Sequence, residues 1–370
     1  MTVLERAPMF QDVGAGLQLA PNATRILVDL GVLRHLGGAM QPERLLIRRG
    51  RDARLLATLP LGDSAAQRWG APWLVAHRAD LQAALLQAVA LAGDAIRVVA
   101  GAELTGFAEE ETRFVASLRH GAVHSTLEAD GLVGADGLNS LVRARLAPGG
   151  GKRHSGRTAW RALVTATEAP AFARINQSNL WLGKRAHLVH YPVRGGALIN
   201  VVAIVADGLH ASDSGDFWEQ NGDAAALAAR FGHWHPDARA LLASAPAWRR
   251  WPLFDRAPLP FCGDGRVTLL GDAAHPMLPF LAQGSAQAIE DAAVLGLAVA
   301  SRTGVREAFA AYGLARAGRT ARVQAQSRQQ GNIYHLAGPA AFMRDLAMRA
   351  ITGKKLAART DWLYGYHPAL

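Results

Sequence analysis

Between Arg266 and Ala293 the chain reads RVTLLGDAAHPMLPFLAQGSAQAIEDAA, and this stretch restricts the fold more than any other. Val267 to Leu270 is a short, branched apolar run of the kind that forms a buried strand. Gly271-Asp272 stands where that strand should end. Pro276 and Pro279 then mark a turn segment, and after Gln283-Gly284-Ser285 a helical pattern begins near Ala286. Strand, polar turn and helix in that order build the ligand crevice of an open α/β sheet, with unpaired amides at the helix start aimed at an anion. By itself the pattern indicates a cofactor or anion site and leaves the cofactor unnamed.

Composition narrows the surroundings of that site. With 370 residues, half of them apolar, the chain can bury two cores or one large one and is too apolar for disorder. The single cysteine, Cys262, excludes an internal disulfide and a cysteine metal cluster, so a reducing, cytoplasmic setting is expected. MTVLERAPMF reaches Glu5 and Arg6 before a signal-peptide core could form. The longest apolar run, Ala292 to Ala300, is far short of the roughly 20 residues a membrane span needs. A formal charge of +10, from 40 Lys and Arg against 30 Asp and Glu, fits an anionic ligand or nucleic acid. The arginines are scattered and no nucleic-acid motif accompanies them, so no nucleic-acid partner is expected.

Elsewhere the pattern alternates between helix and strand. Gly14 and Gly16 precede a Pro21-Asn22 break and a helical run that stops at Gly31. RLLIRR and ARLLATL, joined by Gly50 and Asp52, suit a hairpin, and HRADL from His77 opens a helix to about Leu91. Strand-like segments fill 95–130, after which Leu132 to Ser140 reads LVGADGLNS, an apolar strand running into an Asp136-Gly137 turn. TAWRALV, LWLG, HLVHYPVRGG and ALINVVAIVA give further strands between Thr158 and Val205. His187 and His190, three apart, point to opposite faces of an extended segment, so only one of them can face a cavity. Helices are expected at Trp218 to Phe231, Val305 to Gln330 and Ala340 to Ile351. His233 and His235 lack a third ligand at useful spacing, so no metal site is expected.

GDAAHPMLPFLAQGSAQAIEDA, VGADGLNSLVR, HRADL and the Val13 to Val32 segment resemble the flavin-contact motifs of the single-component FAD-dependent aromatic hydroxylases. That group contains the salicylate and hydroxybenzoate hydroxylases and 6-hydroxynicotinate 3-monooxygenase. The resemblance covers nearly the whole chain. It implies an α/β fold in which a Rossmann-like FAD-binding domain, formed by 1–41, 75–153 and 256–335, joins a mixed-sheet substrate domain, 42–74 and 154–255, with a helical tail at 336–370. The first strand, G-x-G-x-x-G turn and first helix of the dinucleotide-binding unit do not occur ahead of Glu5. The expected explanation is a start placed too late, inside the second strand; a true truncation is the other.

The resemblance implies bound FAD and NADH or NADPH as cosubstrate, with O2 and a small aromatic or heteroaromatic hydroxy acid as substrates. Hydroxylation would pass through a flavin hydroperoxide, and a homodimer stays open. It assigns Glu5, Arg6, Arg78, Asp136, Gly137, Gly271, Asp272, Pro279, Gly284 and Ser285 to the cofactor. Met277, Leu278, Phe280 and Leu281 would wall the reaction from water. His190, with His187 as the second candidate, would be the base or orienting group, and Gln283 and Pro279 would lie at the reacting ring. The alternatives are another FAD monooxygenase of the same fold, or a flavin- or ligand-binding protein left without catalysis by truncation.

Overall fold

The computed structural model describes residues 1–10, 15–110, 113–208, 220–260 and 263–369. Val13, Gly14, Trp218 and Cys262 lie outside these residues. The largest element is an eight-stranded sheet, ordered Gln220–Gly222, Trp248–Asp255, Arg153–Thr165, Leu198–Val205, Ala186–Val193, Ser178–Gly183, Arg44–Arg49 and Leu55–Pro60. Its neighbours pair antiparallel except for Ser178–Gly183 beside Arg44–Arg49, so the sheet is mixed.

A second region is Rossmann-like, with short parallel pairs flanked by helices. Thr2–Glu5 pairs parallel with Arg97–Ala100, and Leu132–Gly134 pairs parallel with Val267–Leu269. Leu4 packs into the same apolar cluster as Val267 and Leu269, so the two pairs share one core. Helices Arg78–Leu91, Gly284–Ser301 and Val305–Tyr334 accompany them. The antiparallel ribbon of Gly16–Leu19 and Leu74–His77 bridges to the large sheet, where an added Cβ on Gly16 would lie 2.6 Å from Asn200 Cγ. Only glycine permits that approach.

Register across the large sheet sorts its side chains. On one face, Ala159, Ile204 and His187 form a row, then Arg161, Val202 and Val189, then Leu163, Asn200 and Tyr191. This inner face meets the Gly16 ribbon and the loop that carries Leu278 and Phe280. The residues between, including Trp160, Ala162, Leu188 and His190, occupy the outer face. There Phe231, Trp234, Leu241 and their helices seal a fully apolar cluster.

One expected helix differs from the structure, and the tail carries more helices than the one expected. In the described part of the Trp218 to Phe231 segment, Gln220–Gly222 is a strand on the sheet edge and the helix runs Ala224–Arg230. Asp223 accepts a 2.9 Å hydrogen bond from the Ala225 amide and starts the helix there. The tail forms Gly338–Ala350, Gly353–Ala358 and Asp361–Tyr364. Asp361 returns it to the body by accepting from Arg68 and from Trp69 Nε1, while Tyr364 packs edge-on against Trp69 and Trp73.

Candidate active site

The turn after Val267–Leu269 is built as the sequence requires. Gly271 takes φ +61°, and a Cβ there would press to 3.2 Å from Ala288 Cβ. Its amide donates to Asp291 Oδ2 at 2.9 Å, and His275 Nε2 meets the same oxygen at 2.5 Å. Asp291 Oδ1 accepts from Arg316 Nε at 2.6 Å, and Glu290 accepts from Arg316, Arg319 and Asn22. Glu290, Asp291 and Arg316 are all fully buried. Burial pushes the Asp291 carboxyl up, but His275, Arg316 and the Gly271 amide outweigh it and hold it below its usual range. This network fixes the helix Gly284–Ser301 against the turn, because removing one member would leave an uncompensated buried charge.

Gln283 turns its side chain into that network, where Oε1 accepts from Asn22 at 3.0 Å and Nε2 has no acceptor. The first intrahelical bond runs from the Gln287 amide to the Gln283 carbonyl. The amides of Gly284 and Ser285 therefore stand ahead of the bonded ladder, as a helix start does for an anion. Pro279 begins a short turn ending at Ala282, φ +53°. Gln324 and Ser327 hold the loop by donating to the Pro276 and Leu278 carbonyls.

Asp272 keeps solvent access, yet the surrounding walls desolvate it and raise its pKa, with His275 and Arg78 opposing. Arg78 opens its helix with an exposed side chain, and its charge reaches both Asp272 and Arg161. Asp136 caps the helix Leu141–Leu146, accepting from the Leu141 amide at 2.7 Å with Oδ2, after Gly137 at φ +75°. Arg143 of that helix, buried, donates to the carbonyls of Ala273 and Ala274, tying the Asp136 turn to the Gly271 turn. Glu5 and Arg6 end the strand Thr2–Glu5; Glu5 accepts from the Ala7 amide at 2.7 Å and Arg6 is exposed.

The inner sheet face faces these loops. Arg161, Val202, Val189 and Leu163 are half-buried, whereas Ala159, Ile204, His187, Asn200 and Tyr191 around them are buried. Water thus reaches the middle of a face that is covered at its margins, which marks a cavity between sheet and loops. A separate cavity of about 380 Å³, lined by Trp160, Leu227, Arg230 and Arg250 among others, shares no lining residue with this row. His187 Nδ1 lies 2.8 Å from His335 Nε2, and Arg157 Nε donates to His335 Nδ1 at 3.3 Å. Burial, together with the neighbouring Arg157, holds both histidines far below their usual pKa, His335 at about 3.

His190 does not reach this cavity. It is fully buried on the outer face, where its Nε2 accepts from Trp181 Nε1 at 3.1 Å and Phe172 packs edge-on to it. The expectation that favoured His190 over His187 is corrected by the register. Burial and the Arg48 charge lower its pKa to about 3, as for a neutral core histidine. The sequence reading passed over Arg161, Asn200, Arg157, His335 and Arg143. A charged residue inside the apolar strand TAWRALV was the available signal for Arg161; the others have long-range partners that no local pattern shows.

A flavin dinucleotide fits this donor set. Asn200 Nδ2 and Gln283 Nε2 are buried donors without acceptors, and the two helix-start amides add to them. A family model described as FAD binding domain matches residues 1–327. 3-Hydroxybenzoate 6-hydroxylase 1 of Aquipseudomonas alcaligenes is 38% identical over 373 residues, spanning 98% of this chain and 91% of that protein. The chain belongs to the FAD-dependent aromatic hydroxylases. Another relative of this hydroxylase is 3-amino-4-hydroxybenzoate 2-monooxygenase of Streptomyces cremeus, 37% identical and covered over 98% of this chain and 88% of its own. Among solved structures, a salicylate hydroxylase substrate complex superposes with TM-score 0.79 at 26% identity, covering 95% of this chain and 88% of that one. Klebsiella pneumoniae HpxO with FAD and uric acid shares the fold, with TM-score 0.81 at 23% identity over 96% and 88% of the two chains. The hydroxylase is thus an FAD-dependent monooxygenase using NAD(P)H, and no helix among its described residues is long and apolar enough to cross a membrane. The described residues hold no metal-binding cluster.

Proposed function

We propose that this hydroxylase inserts one atom of O2 into the ring of a hydroxybenzoate-type acid, the second atom leaving as water at the expense of NADH or NADPH. The observation that carries the reading is the cavity on the inner sheet face, with His187 at its edge. FAD, when bound, supplies the hydride acceptor and the oxygen-activating ring. Asp272, the Gly284 and Ser285 amides, Arg78, and the Asp136-Gly137 turn, whose Asp136 Oδ1 remains available, are the residues proposed to hold it. Glu5 and Arg6 are proposed for its ribose side.

The chain's own contribution is orientation, exclusion of water and control of one proton. A guanidinium always donates, so Arg157 leaves the His335 proton on Nε2, which in turn donates to His187 Nδ1. The neutral His187 then carries its proton on Nε2. That atom is free of any protein partner and is not sealed from the cavity. His187 in this state donates a hydrogen bond to the substrate's ring oxygen and stabilises it as the phenolate, which makes the ring electron-rich at the carbon to be oxygenated. Of the two roles expected of a histidine here, base or orienting group, it takes the second. Leu278 and Phe280 close the wall beside it.

The domain division, 1–41, 75–153 and 256–335 for the cofactor and 42–74 with 154–255 for the substrate, follows from the same reading, as does a cytoplasmic location. The test is anaerobic and aerobic turnover of the FAD-loaded chain with NADH and, in turn, 3-hydroxybenzoate, salicylate and 6-hydroxynicotinate. Substrate-dependent NADH oxidation with a product heavier by one oxygen atom is expected. NADH oxidation that no aromatic acid stimulates, with no hydroxylated product, refutes the proposal.

A further inference from the structure

We infer that Glu290 is a positioning residue for the flavin: both its oxygens are taken by protein donors, yet its carboxylate decides which ends of the Asn22 and Gln283 amides are left for a ligand. The role rests on the FAD-binding assignment above and holds whatever acid is hydroxylated. A carboxylate only accepts and a guanidinium only donates, whereas a carboxamide donates at one end and accepts at the other. Amides buried among such charged groups therefore take their orientation from them.

Glu290 Oε1 accepts from Asn22 Nδ2 at 2.6 Å, from Gln287 Nε2 at 3.1 Å and from Arg319 Nη2 at 2.6 Å, and Oε2 accepts from Arg316 and Arg319. Gln287 is fixed at its other end as well, where Oε1 accepts from Arg316 Nη2 at 2.9 Å. With their NH2 groups turned to Glu290, Asn22 and Gln287 both donate to Gln283 Oε1 too, at 3.0 and 3.2 Å. Gln283 thus gives its carbonyl to the network. Turning Asn22 over would set its Oδ1 against the carboxylate, two acceptors with no proton between them. Asn22, Gln283, Gln287 and Glu290 are each at most 1% exposed.

Two atoms of this set have no partner: Gln283 Nε2, a donor, and Asn22 Oδ1, an acceptor. Both are buried, where an unmade hydrogen bond is costly. An imide edge, with carbonyl and N–H side by side, completes both, and the pyrimidine ring of a flavin carries one. Gln283 directly precedes the Gly284 and Ser285 amides, so its donor adds to theirs. Donors at that edge hold the reduced ring, which gains negative charge, more tightly than the oxidised one.

The C-terminal tail completes the device. Arg319 also donates to the carbonyls of Trp362 and Leu363, each at 3.0 Å, and its guanidinium lies 3.8 Å from the centroid of the Tyr366 ring. The Tyr366 carbonyl accepts from Arg25 at 2.6 Å, and Asp361 ties the segment to Arg68 and Trp69. By accepting further N–H groups of Arg319, the tail keeps its fork on Glu290.

The test is the two-electron midpoint potential of bound FAD, measured without substrate, together with FAD affinity and Tm. Glu290→Gln can present a donor or an acceptor to Asn22, so the amides lose their fixed sense. Reduced FAD should then lose about tenfold more affinity than oxidised FAD, a potential lower by about 30 mV. Gln283→Met, which removes the donor itself, should lower it by the same step, and the double variant should fall no further, because Glu290 acts through Gln283. If Glu290→Gln does not fold, Arg319→Lys and Tyr366→Leu read the same route, each with a shift of about threefold in that ratio that vanishes in the Gln283→Met background. An unchanged potential, with affinity lost equally for both redox states, or additive falls in the double variants, overturns the role and leaves the FAD assignment intact. A wild type that binds no flavin overturns both.

Discussion

The two faces of the eight-stranded sheet come from the same strands and do opposite work. The outer face is closed by Phe231, Trp234 and Leu241 over a large apolar cluster, with His190 at its side, where His190 Nε2 accepts from Trp181. The inner face places Arg161, Asn200, Tyr191 and His187 within three rows, with water reaching the middle one. The outer face therefore supplies stability, and the inner face holds groups whose partners are not in the protein. A residue's value depends on the face it stands on more than on its type, as His187 and His190 show.

The comparison breaks most sharply at Phe231. Phe231→Ala should cost about 3–5 kcal/mol of stability, read by urea unfolding, with kcat per folded, flavin-loaded molecule unchanged. A matching fall in kcat would mean that the outer face also shapes the site. On the inner face, His187→Ala should lower kcat by about 100-fold, the scale of one lost donor to a developing oxyanion, while FAD stays bound. An unaltered kcat would exclude His187 from the chemistry.

A smaller effect sharpens the role of the pair. His335→Gln keeps a donor near His187 Nδ1 but releases the tautomer from Arg157, so kcat should fall about tenfold; no change would show that Arg157 does not set the proton's position. The smallest concerns His190. Its folded pKa of about 3 lies below the unfolded value near 6.5, so above pH 6.5 both states are neutral and it costs nothing. As pH falls below 6.5 the unfolded chain takes up the proton first, and stability is lost by up to about 1.4 kcal/mol per pH unit until the folded group titrates. His190→Gln should leave stability at pH 8 within about 1 kcal/mol and flatten the acid limb between pH 6 and 4. An unflattened limb would assign that loss to His187 and His335 instead.

Local pattern exposed much of the cofactor side in advance. Val267–Leu269, the Gly271 turn and the helix start at Gly284 lie next to one another in the chain, so strand, φ > 0 glycine and free amides follow from neighbouring residues. Arg316 with Asp291, Arg143 with Ala273, and His187 with His335 were illegible, since each joins residues tens to hundreds of positions apart. Trp218 to Phe231 was read as one helix, while Asp223 and edge pairing with Trp248 to Arg250 decide that Gln220–Gly222 is strand.

The sequence by itself determined that this chain has a strand-turn-helix flavin crevice, a mixed second sheet and two histidines on opposite sides of one strand. Period-two alternation fixes which side chains share a face, but it has no reference for which face is inward. Only tertiary structure decided that. Helices Ala224–Arg230 and Pro236–Ala243 cover the His190 side, and Gly16 admits Asn200 and Tyr191 to the other, so His187 and Arg161 open on the cavity.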